Sequence, residues 1–213
     1  MQPPAPWTPP TPLPTRFETR RTVLRFWQPE DAPALLEAVD QDRPSLLPWL
    51  EWARTDNRNL AECTFNIERF RRERERKSPP QDNFGIGIFD RQTGAALGST
   101  GFHRMDLASH HSEVGYFIRA DRRREGLCTE AIGGLITWAF TPQDRGGWGL
   151  RRIDIFCAGK NLASQAVPRK LGLRQEVNAI NKRWVEGIGW DSTLGWGVLA
   201  DEWDVHAGRL KHA

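Results

Sequence analysis

The feature that most constrains the fold is an apolar helix enclosed between two strands. Eight apolar residues recur at helical spacing, namely Leu127, Cys128, Ala131, Ile132, Leu135, Ile136, Ala139 and Phe140. They form one continuous face, as a core helix requires. The segments SEVGYFIRA before the helix and RRIDIFCAG after it have the composition of strands. Two strands joined through a helix lie parallel in one sheet, so the sequence predicts one parallel pair.

The flanking segments complete an α+β (mixed α/β) fold. Upstream, RRTVLRFW predicts a strand, EDAPALLEAVD a short helix, SLLPWLEWA a second helix, and the stretch from about Asn59 to Arg76 a third. NFGIGIFD, AALGSTGFHRMD and SEVGYFIRA, joined by short turns, predict an antiparallel meander. Downstream, NLASQAVPRKLG predicts a helix, and residues 174–184 and 192–199 predict a closing pair of strands.

The length and the proline content suggest the domain limits. A chain of 213 residues can bury one substantial core, and we predict a single domain over residues 15–205. Residues 1–14, MQPPAPWTPPTPLP, are too rich in proline for a regular ladder, so we expect an extended, poorly ordered arm. The alternative for this arm is a proline-rich ligand for a partner protein. Residues 206–213 are expected to form a short C-terminal tail.

Charge patterning argues against a nucleic-acid partner. Lys and Arg total 30 and Asp and Glu total 27, and an excess of +3 is too small to indicate nucleic-acid binding. In the arginine-rich run from Arg69 to Lys77, Glu73 and Glu75 interleave with the arginines, which favours a solvated helix face over a phosphate-binding stripe. No apolar run could span a bilayer and no secretory signal pattern begins the sequence, so we expect a cytoplasmic protein without a membrane partner.

The cysteines indicate neither a disulfide framework nor a zinc site. Cys63, Cys128 and Cys157 are odd in number and widely spaced, and no Cys-x-x-Cys pair occurs. We therefore expect three reduced thiols and no metal.

The stretch RRREGLCTEA, residues 122–131, has the features of an anion site. The start of a helix after a strand offers unpaired backbone N–H groups and the positive end of the helix dipole. Gly126 allows close approach of the backbone, and Arg122, Arg123 and Arg124 supply mobile positive charge, so a diphosphate is the favoured ligand. On spacing alone, a plain charged loop remains the alternative. The nucleoside triphosphate motif G-x-x-x-x-G-K-[ST] does not occur in the sequence.

The segment EVGYFIRADRRREGLCTEA resembles the signature of the GCN5-related N-acetyltransferases (GNAT), whose Gln/Arg-x-x-Gly-x-Gly/Ala turn binds the diphosphate of acetyl-coenzyme A. Arg123, Gly126 and Cys128 occupy the motif positions, with Cys128 in place of the final Gly or Ala, where its larger side chain would crowd the phosphates. The segments ETRRTVLRFWQPEDA, SLLPWLEW, GFHRMD, NLASQAVPRKLGL and GVLADEW resemble the RimJ/RimL branch, which acetylates protein N-termini, especially ribosomal ones. The resemblance runs from about Thr19 to Trp203.

This resemblance implies the GNAT fold, a central, mostly antiparallel twisted sheet flanked by helices, with a parallel strand pair splayed at the acetyl-coenzyme A site. It implies coenzyme contacts from Phe117, Ile118, Arg123, Arg124, Glu125, Gly126, Leu127, Cys128, Thr129, Asn161 and Ser164. Asn161 matches the asparagine that orients the pantetheine arm in the family. The position of the tyrosine that serves as the acid in many branches falls at Pro168. The oxyanion is expected on backbone N–H groups around Tyr116 and Phe117.

The remaining chemistry needs an acid, a base and an acceptor groove. Ser164, one helical turn after the asparagine, is our candidate for protonating the thiolate; the alternative is a packing or capping role. Glu113 is the first candidate for the base, directly or through a water, and could attract the amine; the alternative is a surface glutamate at a strand edge. His103 is the second candidate base, or an exposed histidine at a strand end. Trp49 and Trp52, three residues apart on one helix face, are expected to wall the acceptor groove unless they fill the core.

The class of acceptor amine is inferred from the basicity of the candidate amines. An α-amine, with a pKa of about 7.7–8.0, is neutral at pH 7 far more often than a lysine, with a pKa of about 10.4, so a weak base is sufficient. We therefore predict an acetyl-coenzyme A dependent N-acetyltransferase for a protein N-terminus, such as that of a ribosomal protein. The alternatives are transfer to a small amine (a polyamine, an amino acid or an antibiotic) and a non-catalytic module that binds acyl-coenzyme A. A homodimer is a further expectation, since this branch often dimerises.

Overall fold

The computed structural model describes residues 5–75 and 82–211. The strands in these residues are β1 (Arg16–Glu18), β2 (Thr22–Phe26), β3 (Phe84–Asp90), β4 (Ala96–Asp106), β5 (His111–Ile118), β6 (Arg152–Ala158), β7 (Arg174–Val185), β8 (Gly189–Leu199), β9 (Trp203–Asp204) and β10 (Arg209–Leu210). The α-helices are α1 (Ala32–Asp40), α2 (Arg43–Leu46), α3 (Trp52–Thr55), α4 (Leu60–Glu75), α5 (Leu127–Phe140) and α6 (Leu162–Lys170).

Eight of the strands form one sheet in the order β1-β2-β3-β4-β5-β6-β8-β7. All neighbours pair antiparallel except β5 and β6, which are parallel and are connected through α5. Their register runs from His111 opposite Arg152 to Glu113 opposite Asp154 and stops there, so the two strands separate toward their C-terminal ends. The predicted meander, parallel pair and mixed α/β fold class are confirmed.

The sheet buries apolar side chains on both faces. Along β2, Leu24 packs into the cluster that includes α5, and Val23 packs into a second cluster with α1 and α4. Trp148 is fully buried at the centre of the larger cluster. Its ring contacts those of Trp7, Phe26, Phe84, Phe102 and Trp138. The sheet is therefore held between two helical layers, and β5 lies at the boundary of both.

The predicted continuous helix over SLLPWLEWA is wrong. Two single turns, α2 and α3, occupy this region instead. Pro48 lies between them and has no N–H donor; the Leu50 N–H still donates to the Leu46 carbonyl at 2.9 Å, and the first helical segment ends there. The third predicted helix is confirmed as α4, where the Asn59 side chain accepts the Glu62 N–H at 2.9 Å. Its predicted end at Arg76 lies outside the described residues.

The proline-rich arm has no helix or strand between residues 5 and 14, but it is anchored to the core. Trp7 is only 3% exposed, and its indole N–H donates to the Trp148 carbonyl at 2.7 Å. The expectation of an arm that is poorly ordered along its length is therefore corrected, because burial of a large aromatic ring is strongly favourable. Residues 1–4 lie outside the described part of the chain.

The C-terminal segment also joins the fold. Arg209–Leu210 pair antiparallel with Trp203–Asp204, so part of the predicted tail is a paired strand. Residues 212–213 lie outside the described part of the chain. The domain limits at residues 15 and 205 stay a prediction.

Candidate active site

A cavity of about 740 Å³ opens where β5 and β6 separate. Its walls come from the segment around α2, from β5, from the turn before α5, and from β6 and α6. One acidic residue, Glu113, is among the described residues that line it. The basic lining residues are Arg104, Arg122, Arg123, Arg124, Lys170 and Arg183. This charge balance suits an anionic ligand.

Gly126 shapes the start of α5 at the cavity wall. Its φ of 81° lies in the left-handed region, which a residue with a Cβ adopts only with strain. Its carbonyl accepts the Glu130 N–H at 3.0 Å, which begins the helix. Leu127, Cys128 and Thr129 line the cavity, and as the first helical residues they have N–H groups without acceptors inside the helix. The cavity therefore receives both N–H donors and the positive end of the dipole of α5.

Arg123, the first residue of the motif, is held by its neighbours. Its Nε donates to the Ile118 carbonyl at 3.1 Å, and its Nη1 donates to Asp42 Oδ2 at 3.1 Å and to Ser45 Oγ at 3.0 Å. The Ser45 hydrogen bond, and then the Arg123 charge, hold the pKa of Asp42 below its ordinary value. Arg123 is thus a fixed part of the cavity wall.

Arg122 is held by carboxylates, as Arg123 is, whereas Arg124 is not. Arg122 pairs with Glu125 at 3.0 Å and with Asp90 at 3.3 Å. Arg124 is exposed and forms no hydrogen bond or ion pair with the residues that the structure describes. The expectation of three mobile arginines is corrected to one, because carboxylates bind the other two: Asp42 binds Arg123, and Glu125 and Asp90 bind Arg122. Glu125 does not line the cavity, whereas all the other predicted coenzyme residues do.

The first turn of α6 forms the wall opposite α5. The Asn161 side-chain oxygen accepts the Ser164 N–H at 3.0 Å and caps the helix. The amide NH₂ of Asn161 is then the part of the side chain with donors to offer a ligand. Pro168 lies within α6, so this position has no hydroxyl. Asn161 and Ser164 both line the cavity, as the resemblance implies.

Tyr116 contributes a hydroxyl that the sequence interpretation did not include. Its Oη donates to the Ser164 carbonyl at 2.8 Å and lies 3.3 Å from Ser164 Oγ. Burial raises the pKa of Tyr116 well above its ordinary value, so the phenol stays protonated. The period-two alternation of β5 is the signal that could have located it. Val114 and Ile118 face the α5 cluster, so Tyr116 between them does too.

A second cavity, of about 720 Å³, extends from β5 toward α3, α4, β3 and β4. It shares with the first cavity Leu50, Arg104, residues 113–117 and Phe156. Glu113 is three-quarters buried and pairs with Arg104 at 3.1 Å. Two lining residues, Arg69 and Arg104, are basic. The acidic lining residues are Asp56, Glu73, Asp82 and Glu113. This cavity is therefore more acidic than the first.

His103 and Trp52 line the second cavity. His103 is half-buried rather than exposed, and its Nδ1 lies 2.7 Å from the side-chain oxygen of Asn83. Burial, and then the charge of Arg104, lower the pKa of His103 to about 4. At neutral pH His103 is an uncharged and weakly basic imidazole.

The two predicted acceptor tryptophans do not share a helix face. Trp49 lies in the turn after α2 and lines the first cavity, whereas Trp52 begins α3 and its ring lies 5.4 Å from that of Phe117. The non-helical residues Leu50 and Glu51 separate them. Their role in acceptor binding stays a prediction, as do the roles of Glu113, Ser164 and His103.

The cysteines are unpaired thiols. Burial raises the pKa of Cys128 to about 12 and that of Cys157 to about 11, so both are neutral where they line the first cavity. Across residues 5–75 and 82–211, no group of three or more His, Cys, Asp or Glu residues is placed to hold a metal ion. None of the helices described is long and apolar enough to cross a bilayer.

The family of the chain is shown by its similarity to known proteins. The family model described as "Acetyltransferase (GNAT) domain" matches residues 21–174. The chain belongs to the GNAT family of acetyltransferases. Among curated proteins, "Putative ribosomal N-acetyltransferase YdaF" of Bacillus subtilis (strain 168) is 28% identical over 182 residues, which cover 85% of this chain and 93% of YdaF. This GNAT protein is therefore an acetyltransferase with an N-acetyltransferase among its relatives.

Solved structures confirm the GNAT fold. The ribosomal L7/L12 alpha-N-protein acetyltransferase RimL, in complex with coenzyme A, has a TM-score of 0.74 at 18% identity and covers 86% of this chain and 97% of its own. The microcin C7 self immunity acetyltransferase MccE, in complex with acetyl-CoA and AMP, has a TM-score of 0.71 at 19% identity and covers 85% and 93%. At these identities the similarity concerns the fold.

Proposed function

We propose that this GNAT acetyltransferase transfers the acetyl group of acetyl-coenzyme A to the N-terminal α-amine of a protein. The observation that supports this most is a pair of cavities of opposite charge that meet at β5. Apart from the Arg104–Glu113 ion pair, which lines both, the cavity beside α5 and α6 has five basic and no acidic lining residues among those described, and the cavity beyond β5 has one basic and three acidic ones. An anionic coenzyme and a cationic amine would enter from opposite sides and meet at the shared strand.

The coenzyme is proposed to lie along the turn before α5 and against α6. The N–H groups at the start of α5 suit a diphosphate, and Arg124 is free to add charge. The Asn161 amide would orient the pantetheine arm. Two fold neighbours, RimL and MccE, are described as complexes with coenzyme A and acetyl-CoA, which supports the same use of this fold.

Transfer forms a C–N bond and breaks a C–S bond, while the amine loses a proton and the thiolate gains one. Glu113 is open to both cavities, and we propose that it accepts the proton of the amine, directly or through a water. Arg104 would fix the orientation of this carboxylate. His103 ranks second, because an imidazole with a pKa of about 4 is a poor base at neutral pH. Ser164 is proposed to donate to the departing sulfur.

The acceptor is assigned to the second cavity. Its acidic lining attracts a protonated amine, and an α-amine with a pKa of about 7.7–8.0 loses its proton at neutral pH far more readily than a lysine. Trp52, packed on Phe117, would form one wall of the entry. The name of the relative YdaF supports a ribosomal protein as the acceptor.

A panel of acceptors tests the proposal. Peptides that begin with Ser, Ala, Thr or Met are incubated with acetyl-coenzyme A and the wild-type protein, and released thiol is measured; spermidine and free amino acids are included as small amines. We expect turnover with at least one peptide and little with the small amines. Turnover restricted to small amines would reassign the acceptor class, and coenzyme binding without any turnover would indicate a non-catalytic module.

A paired substitution tests the coenzyme site. Arg124→Glu places a negative charge at the start of α5 and should weaken coenzyme A binding at least tenfold by isothermal titration, because like charges repel across a short distance. Arg145→Glu, which changes another exposed arginine outside the cavity lining, is the matched control. Equal affinities in the two variants would contradict the assignment.

A further inference from the structure

The hydroxyl of Tyr116 forms its hydrogen bonds with one residue, Ser164. A tyrosine has a single O–H proton, and the 2.8 Å contact with the Ser164 carbonyl uses it. In the 3.3 Å contact between the two hydroxyl groups, Ser164 Oγ is then the donor and Tyr116 Oη the acceptor. Tyr116 therefore sets the direction of the Ser164 O–H bond when the cavity holds no acyl group.

The same tyrosine fixes the backbone of the first turn of α6. Asn161 holds the N–H of Ser164 at 3.0 Å, and Tyr116 holds its carbonyl. Tyr116 lies beyond Glu113, the last β5 residue paired with β6, whereas the Asn161 contact is internal to α6. Side-chain hydrogen bonds thus connect β5 to α6 at the level where the ladder between β5 and β6 has ended, and Ser164 is held from both of its peptide groups.

Two uncharged thiols share the cavity wall with this pair. Cys128 and Cys157 line the cavity beside Tyr116 and Ser164, and both are protonated thiols with pKa values of about 12 and about 11. The Ser164 hydroxyl is therefore oriented by hydrogen bonds, with Tyr116 Oη at 3.3 Å and the uncharged Cys157 thiol as its neighbours.

We propose that Tyr116 is a positioning residue for the acyl-transfer step, which holds Ser164 so that its hydroxyl can turn from Tyr116 Oη to the sulfur as the C–S bond breaks. The Tyr116 hydroxyl keeps its bond to the Ser164 carbonyl throughout, so the turn of α6 does not move when the serine hydroxyl changes partner. This inference rests on the proposed acetyl transfer. Tyr116 acts through Ser164 and needs no contact with the coenzyme.

A double-mutant cycle tests the proposal with whichever acceptor the wild type uses. We expect Tyr116→Phe to lower kcat about tenfold while KM for acetyl-coenzyme A changes less than threefold, and Ser164→Ala to lower kcat at least as much. The double variant should be within twofold of Ser164→Ala, because residues that act as a unit are not additive. Losses that multiply in the double variant, or a Tyr116→Phe enzyme with wild-type kcat, would overturn the inference.

The control is Thr137, a buried residue outside the cavity whose hydroxyl, like that of Tyr116, donates to a backbone carbonyl and accepts one side-chain hydrogen bond. Thr137 Oγ1 donates to the Gly133 carbonyl at 2.9 Å and accepts the Trp203 indole N–H at 3.1 Å. Thr137→Val should lower the melting temperature about as much as Tyr116→Phe and leave kcat unchanged. If both variants lose activity in proportion to stability, the role of Tyr116 is structural only.

A spectroscopic measurement separates this inference from the proposed function. Tyr116 is the only tyrosine in the sequence, so uniform 3-fluorotyrosine labelling gives a single protein ¹⁹F signal. We expect the signal to shift in Ser164→Ala and on addition of coenzyme A, and to stay unchanged in Thr137→Val. No shift in Ser164→Ala would overturn the positioning role even if the wild type transfers acetyl groups. A shift with no wild-type turnover would confirm the contact and overturn the acyl-transfer assignment.

Discussion

At the level of single residues, two arginines of the diphosphate turn form ion pairs with carboxylates that are far away in the sequence. Arg123 is bound by Asp42 and Arg122 by Asp90, and neither carboxylate lies in the segment that carries the motif. A local pattern predicts which residue types line an anion site, but only the fold decides which cations are already neutralised. The motif positions were therefore predictable, and the distribution of free charge among the arginines was not.

His103 gives a prediction for stability against pH. Its pKa is lowered from 6.5 to about 4 by folding, so the unfolded chain binds this proton more tightly than the native protein does. The native state accordingly loses stability as the pH falls from about 6.5 toward about 4. His103→Gln removes this contribution, so its free energy of unfolding should fall less than that of the wild type over this range.

Urea unfolding at several pH values between 4 and 7 measures this difference. His206→Gln, which replaces an exposed histidine, controls for substitution of a histidine as such. Parallel curves for wild type and His103→Gln would show that His103 is not buried as the structure places it.

Cys128 gives a prediction for affinity. It occupies the small-residue position of the diphosphate turn, and its side chain packs beside Tyr116 at the cavity wall. We expect Cys128→Ala to bind coenzyme A three- to tenfold more tightly by calorimetry, because the smaller side chain relieves crowding at the phosphates. Unchanged or weaker binding would mean that the Cys128 side chain does not lower the affinity for coenzyme A.

At the scale of elements, periodicity predicted the unit of β5, α5 and β6, because a continuous apolar face permits one packing arrangement. The same reasoning failed at α2 and α3. There the apolar spacing of SLLPWLEWA is helical, but the hydrogen bonds of the first segment end at Leu50, two residues after Pro48. Short segments with a proline are decided by tertiary packing, so the separation of Trp49 and Trp52 into different cavities could not be predicted.

The role of the turn at the start of α5 can be tested by comparing two glycines. Gly126 and Gly94 both have left-handed backbone, with φ of 81° and 75°, and Gly94 lies in the turn between β3 and β4 with open space around it. Alanine at either position should cost about 1–2 kcal/mol of stability through backbone strain. Only Gly126→Ala should also weaken coenzyme A binding. Similar affinities in both variants would argue against a phosphate role for this turn.

At the scale of the whole molecule, the fold class was predictable but the two-sided site was not. The antiparallel meander and the parallel pair follow from local patterns, whereas the place of β8 between β6 and β7 does not. The two cavities that share Glu113 and its neighbours depend on how far β5 and β6 separate. The burial of the N-terminal arm was also missed, since composition describes proline content and not the ring contacts of Trp7.

Anchoring of the arm predicts that it stabilises the molecule. Trp7→Ala should lower the free energy of unfolding by about 3–5 kcal/mol, as expected when a large buried ring is lost. Trp184→Ala removes an exposed tryptophan from β7 and serves as the control. Chemical denaturation of both variants measures the difference, and equal stabilities would mean that the arm does not pack on the core.

We propose that the acetyl group is transferred to an α-nitrogen and not to a lysine side chain. A peptide that carries both amines tests this directly. A peptide with a free N-terminus and one internal lysine is incubated with acetyl-coenzyme A and the wild-type protein, and tandem mass spectrometry locates the added acetyl group. We expect acetylation of the α-nitrogen and an unmodified lysine. Acetylation of the lysine, or an unmodified peptide across every N-terminal residue tried, would contradict it.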